Sequence, residues 1–166
     1  MDNAQQMEVD AFLADSVVVA ENKIYAQGVG WDSIMTALFP FRQARIGIGV
    51  ILRVPWTATN QMHDLSIKIV DPDENTVVLG TPPPGIELPE VRELKGQFNV
   101  GRPPLLHPGD SQVVPIAMNI DGLEFTAPNT YSVVISVDGT AMRRLPIRVQ
   151  SMVQMSNAAQ YPRMQG

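Results

Sequence analysis

The residues of this chain that could do chemistry are few and scattered. Two histidines, His63 and His107, stand in different segments, and neither has a second ligand at His-x-x-x-His or related spacing. A zinc site needs three or four converging ligands, so both read as solvent-facing loop histidines and no metal is expected. Asp71 and Asp73 have the spacing of a calcium loop, and Asp138 would join them if two hairpin tips lay at one end. Asp-Pro and Asp-Gly are also ordinary turn residues, and that is the expected role. Ser111, Ser132, Ser136 and Ser151 lack a Gly-x-Ser-x-Gly setting. Gly28-x-Gly30 lacks a third glycine and a long following helix, and Gly47-x-Gly49 sits inside a strand pattern, so neither cradles phosphate. No catalytic residue and no cofactor is assigned. An enzyme of unrecognised mechanism would need Asp32, Arg53, His63 and Asp64 to converge.

The most suggestive residues are Trp56, Asn60, Gln61, Asn99 and Arg102, all in loops or at strand ends. Aromatic, amide and guanidinium groups are those enriched at recognition sites. The competing role for Trp56 is to seal the end of a sheet, and its exposure decides between the two. Arg143-Arg144 reads as a solvated pair that guards a strand edge.

Composition narrows the partners. The chain has 166 residues, 12 Lys+Arg against 17 Asp+Glu, and a net charge of -5, so a nucleic acid or an anionic membrane would gain little from it. There is no cysteine, which removes disulfides, thiolate ligands and thiol nucleophiles together. Met1 to Glu8 has no basic or apolar signal region, no apolar run approaches the roughly 20 residues of a membrane span, and a cytoplasmic location is the default.

The elements that must position these residues are strands. In Tyr131 to Val137, residues of odd number are apolar and Ser132 and Ser136 mark the other face. After Asp138-Gly139 the alternation returns in Leu145, Ile147 and Val149. If Asp138-Gly139 were a simple two-residue turn, Arg144 and Pro146 would oppose Val133 and Tyr131. A three-residue loop over Val137-Asp138-Gly139 is therefore expected, with Leu145 opposite Tyr131. Ile46, Ile48, Val50, Leu52 and Val54 predict a central strand ended by Pro55, with Gly47 and Gly49 leaving room for a bulky neighbour or a close backbone. Val9 to Asp15 predicts a strand, with helix a rival over so short a run, and Val17 to Val29 a hairpin about Glu21-Asn22. Trp31 should plug the core. Asp32 to Leu38 predicts one helical turn ended by Pro40. Leu65 to Leu79 predicts a second hairpin about Asp71 to Asn75, and Thr81-Pro82-Pro83-Pro84-Gly85 must cross the surface. Arg92 to Val100 predicts a strand with one wet face. Val114, Ile116, Met118 and Ile120 predict another inward row, with Pro115 placing it at an edge or bulge. Ile48, Val50, Leu52, Leu65, Ile67, Tyr131, Val133 and Ile135 should share one core.

Several segments together carry a family signature: Val9-Asp10-Ala11-Phe12-Leu13-Ala14-Asp15, Gly30-Trp31-Asp32, Thr57-Ala58-Thr59-Asn60-Gln61, Gly96 to Pro104, Pro108-Gly109-Asp110 and Val137-Asp138-Gly139. In these the chain resembles a bacterial, mostly actinobacterial, family known only as a domain of unknown function. The resemblance spans roughly Val9 to Val149 and implies no activity, cofactor or catalytic residue. Tyr131 after Pro128-Asn129 is similar to the tyrosine that follows a turn in immunoglobulin-like sandwiches, a likeness of fold alone.

The expected fold is an all-β, immunoglobulin-like antiparallel β-sandwich of about seven to nine strands, with an open barrel as the alternative. Residues 1–8 read as a flexible leader, 9–150 as the domain and 151–166 as a polar tail. The expected function is a non-catalytic protein-binding or assembly module that presents loops at one end. The alternative is a small-ligand binder, for a sugar or peptide, using Trp56, Asn60, Gln61 and Asn99.

Overall fold

The computed structural model describes residues 6–153. Within them are ten strands: β1 (Glu8–Ala14), β2 (Ser16–Ala20), β3 (Lys23–Gln27), β4 (Ser33–Thr36), β5 (Phe41–Val54), β6 (Met62–Val70), β7 (Leu94–Asn99), β8 (Gln112–Phe125), β9 (Asn129–Val137) and β10 (Thr140–Ser151). They form a sheet of order β1-β5-β8, a sheet of order β4-β10-β9-β6-β7, and the β2-β3 hairpin. The chain is nearly all β, as expected, but with ten strands in place of about seven to nine. No described helix is long and apolar enough to cross a membrane.

The alternating rows become the buried faces. Ile46, Ile48, Val50, Leu52 and Val54 are fully buried in β5, which is central between β1 and β8. The two glycines on its other face serve both anticipated purposes. A Cβ on Gly49 would lie 2.2 Å from the Phe12 ring, and one on Gly47 would lie 3.1 Å from the Ser16–Val17 backbone. Both sheets feed one apolar cluster, which contains all eight residues of the anticipated core. Trp31 packs against it half-buried, and its Nε1 is buried without a hydrogen-bond partner.

β5 and β8 run further than periodicity indicates. Their register is unbroken from Val54↔Gln112 to Phe41↔Phe125, yet in β8 the buried parity changes from Ile120 to Leu123 and Phe125. Gly122, at φ +68°, marks the change, and Arg42 Nε donates to its carbonyl at 3.1 Å. Asn119 ties the hairpin to this sheet: its amide accepts from Val17 N at 3.0 Å and donates to Val17 O at 2.8 Å. A side chain here imitates a strand partner.

Three expectations about elements are corrected. The closing hairpin has a two-residue turn, Val137 pairing with Thr140, and a bulge between Ala141 and Arg143 then restores the parity. Ile147, not Leu145, therefore opposes Tyr131, while Leu145 opposes Val133. The segment expected as a helical turn after Asp32 is strand β4, parallel to β10 from Ser33↔Arg148 to Thr36↔Ser151, so the second sheet is not wholly antiparallel. Its buried Ile34 and Thr36 alternate with exposed neighbours, and a backbone ladder satisfies its amides where one helical turn would leave most unpaired. The Asp71–Asn75 turn forms, with Asp71 Oδ1 accepting from the amides of Asp73 and Asn75. The strand expected after it does not. β7 already occupies that edge of β6 up to Ile67, leaving only a Val70↔Thr76 bridge and Val77 N on Ile69 O at 2.8 Å. β1 begins at Glu8 and β10 ends at Ser151, and most of the expected leader and tail, residues 1–5 and 154–166, lies outside the described residues.

Candidate functional site

At one end of the molecule β5 stops, β6 starts, β7 ends and the β9–β10 turn closes. Pro55 ends β5, and the chain makes a single 3-10 turn over Trp56–Ala58 before β6 begins. Asn60, at φ +58°, redirects the chain, and its amide donates to Val100 O at 2.8 Å, locking this turn to the end of β7. Arg102 then reaches back over the turn. Its guanidinium carbon lies 4.2 Å from the centroid of the Trp56 ring, Nε donates to Thr59 Oγ1 at 2.6 Å, and Nη2 donates to Trp56 O at 3.1 Å. Trp56 is half-buried and Arg102 exposed. Gln112 holds the Arg102 loop from beneath through a hydrogen bond from Nε2 to Gly101 O.

Of the five residues singled out in the sequence, Trp56, Asn60 and Arg102 are thus joined in one assembly. Asn99 is exposed at the end of β7, opposite Met62. Gln61 is exposed too, but its amide donates to Thr57 O at 2.7 Å and braces the turn.

His63 stands behind this turn, and here the sequence reading is corrected. It is not in a solvent-facing loop but in β6, 6% exposed, on the same parity as Leu65, Ile67 and Ile69. That parity was the available signal for its burial. Its Nδ1 lies 2.7 Å from Asp138 Oδ2 and its Nε2 lies 2.7 Å from Ala58 O, and its ring stacks on Phe98 with centroids 5.2 Å apart. Burial pushes the His63 pKa down, but the Ala58 carbonyl and the Asp138 carboxylate outweigh it and hold it above the usual value. Asp138 is held below the carboxylate range, first by His63 and then by the Asp64 amide on its other oxygen. Both ring nitrogens face acceptors, which is the arrangement of an imidazolium that donates twice. No serine or threonine hydroxyl is bonded to it among the described residues.

The remaining candidate groups do not converge. Asp32 pairs with Arg148 at the opposite end, Arg53 with Glu8 at 3.8 Å, and Asp64 receives Gln97 at 2.8 Å. Asp71 and Asp138 lie at opposite ends of β6, so they share no cation site, and the described residues contain no cluster of three metal-ligating side chains. Arg144 is an ion-pair partner rather than a free edge charge, bidentate on Glu74 at 2.7 and 2.9 Å. His107 is exposed in a loop, as expected.

A cleft of about 690 Å³ opens at the other end, between residues 76–81, the Asp121–Gly122 bend and the loop before β9. Tyr131 lies at its floor and donates its hydroxyl to Ala127 O at 3.2 Å. None of Trp56, Asn60, Gln61, Asn99 or Arg102 lines it. No curated protein matches this chain. A family model does, over residues 9–150. The chain belongs to the family of unknown function DUF6941.

Proposed function

We propose that this chain is a non-catalytic binding or assembly module, a bacterial, cytoplasmic domain of immunoglobulin-like sandwich type, that recognises a protein partner through the end carrying Trp56 and Arg102. The observation that carries this reading is the Arg102 guanidinium held over a half-buried Trp56 by two hydrogen bonds. Tryptophan and arginine supply a large share of binding energy where they are fixed before the partner arrives, because little side-chain entropy is then lost. Strands on both sides immobilise the loops, so partner contacts can vary without disturbing the core. The scattered ionisable groups favour binding over catalysis.

The test is affinity capture by the full chain from extracts of its own cells, beside the Trp56→Ala variant. A partner held by the parent chain and lost from the variant, with the melting temperature lowered by no more than a few degrees, supports the reading. A partner captured equally by both chains rules this surface out.

A further inference from the structure

Arg102 is an immobilised cation without an anion. Of the other described arginines, Arg45, Arg53, Arg92, Arg144 and Arg148 each pair with a carboxylate, while Arg42 donates to the Gly122 carbonyl and Arg143 has no carboxylate partner within the described residues. Arg102 spends Nε and Nη2 on two neutral oxygens and its face on an indole, while Nη1 has no hydrogen-bond partner among the described residues. The carboxylates of the flanking elements are committed elsewhere: Asp138 to His63 and the Asp64 amide, Asp64 to Gln97, and Asp110 to the His107 amide. Among the three described arginines without a carboxylate, Arg102 is the one fixed by two hydrogen bonds and an aromatic face together. A guanidinium binds a carboxylate best when its plane is already fixed, since the fork geometry needs no further ordering.

We infer that the partner presents an acidic side chain to Arg102 within an apolar or aromatic context that packs on the exposed part of Trp56. The ligand is therefore an acidic peptide segment, read by one charge and one aromatic contact. This inference rests on the proposed binding surface and adds the chemistry of what binds there. Ion pairing at an exposed guanidinium is screened by salt, so the affinity should fall as ionic strength rises.

The experiment uses the full chain as bait for a display library of random linear peptides. Enrichment of Asp or Glu beside an aromatic or aliphatic residue is expected. For a selected peptide, replacing that Asp or Glu by its amide, and separately making Arg102→Gln, should each weaken binding about tenfold, and the two together should weaken it little further. The peptide-side substitution leaves the protein untouched, so it reports even if Arg102→Gln disturbs the loop. Arg102→Lys should recover only part of the affinity, having charge without the fork. Additive losses, or selected peptides with no acidic preference that still depend on Trp56, would overturn the carboxylate while keeping the surface. Selected peptides indifferent to Trp56→Ala would remove both.

Discussion

His63 is held between two acceptors, and a neutral imidazole has a donor for only one of them. Losing the ring proton therefore forces a lone pair against either Asp138 or the Ala58 carbonyl, and Ala58 belongs to the turn that carries Trp56. Because the folded pKa of His63 is raised, its contribution to stability is complete below the unfolded histidine value of about 6.5 and is lost as pH rises through the folded value. Asp138 has a lowered pKa, so its contribution is present above its unfolded value and lost as pH falls through the folded one. The pair is strongest between those limits. An NMR titration should place the His63 midpoint above about 6.5, and Asp138→Asn should move it downward. A His63 midpoint unaffected by Asp138→Asn would show that the carboxylate does not hold the proton. The position of His63 was legible in its parity with Leu65 and Ile67, whereas its partner was not, because Asp138 is 75 positions away.

Elements owe their registers to single residues. The bulge between Ala141 and Arg143 lets Asp138-Gly139, at φ 49° and 78°, close a two-residue turn while Leu145, Ile147 and Val149 still face the core. Inserting one alanine after Met142 should shift every later pairing by one residue and turn Arg144 and Pro146 inward. Far-UV circular dichroism should then show a chain that does not fold, and a native-like spectrum with unchanged melting would mean that the bulge can absorb a second residue. In the facing sheet the Phe12 ring lies over Gly49, its cross-strand partner. Gly49→Ala should cost roughly 1–3 kcal/mol in denaturant unfolding. Adding Phe12→Ala should cost less in that background than in the parent chain, since the clash is then gone. A purely additive pair would dissociate the glycine from the ring.

For the whole molecule, both sheets depend on one apolar cluster, so damage to it is felt globally. Ile135, fully buried in β9, should cost roughly 2–5 kcal/mol as Ile135→Ala, read as a lower denaturant midpoint with an unchanged slope. A loss below about 0.5 kcal/mol would mean that the residue is not core. The long connection from β6 to β7 carries only isolated bridges, at Val70↔Thr76 and Gly80↔Val91, and exposes Ile86 and Leu88. Limited proteolysis should cut first within 82–90, and the nicked halves should stay together, because the ladders of β6 and β9 do not pass through that segment. A first cut inside β5 or β9 would contradict this picture.

The sequence alone determined the strand faces, because alternation is a local property: Ile46 to Val54, Leu65 to Ile69 and Tyr131 to Val137 point inward wherever their partners lie. It also announced the Glu21-Asn22 and Asp71–Asn75 turns, whose backbone demands are met within a few residues. Only the tertiary structure decided that Ser33–Thr36 is a strand, since its ladder comes from β10 more than a hundred positions later, and that β8 continues past Gly122 with its buried parity changed. The candidate site divides in the same way. Trp56 and Arg102 were noticeable by residue type, but their stacking across 46 positions, and the burial of His63 against a turn residue of another hairpin, are products of strand order. Residue type and local spacing carry no information about which distant strand becomes a neighbour, and that choice places the Arg102 guanidinium on the Trp56 ring.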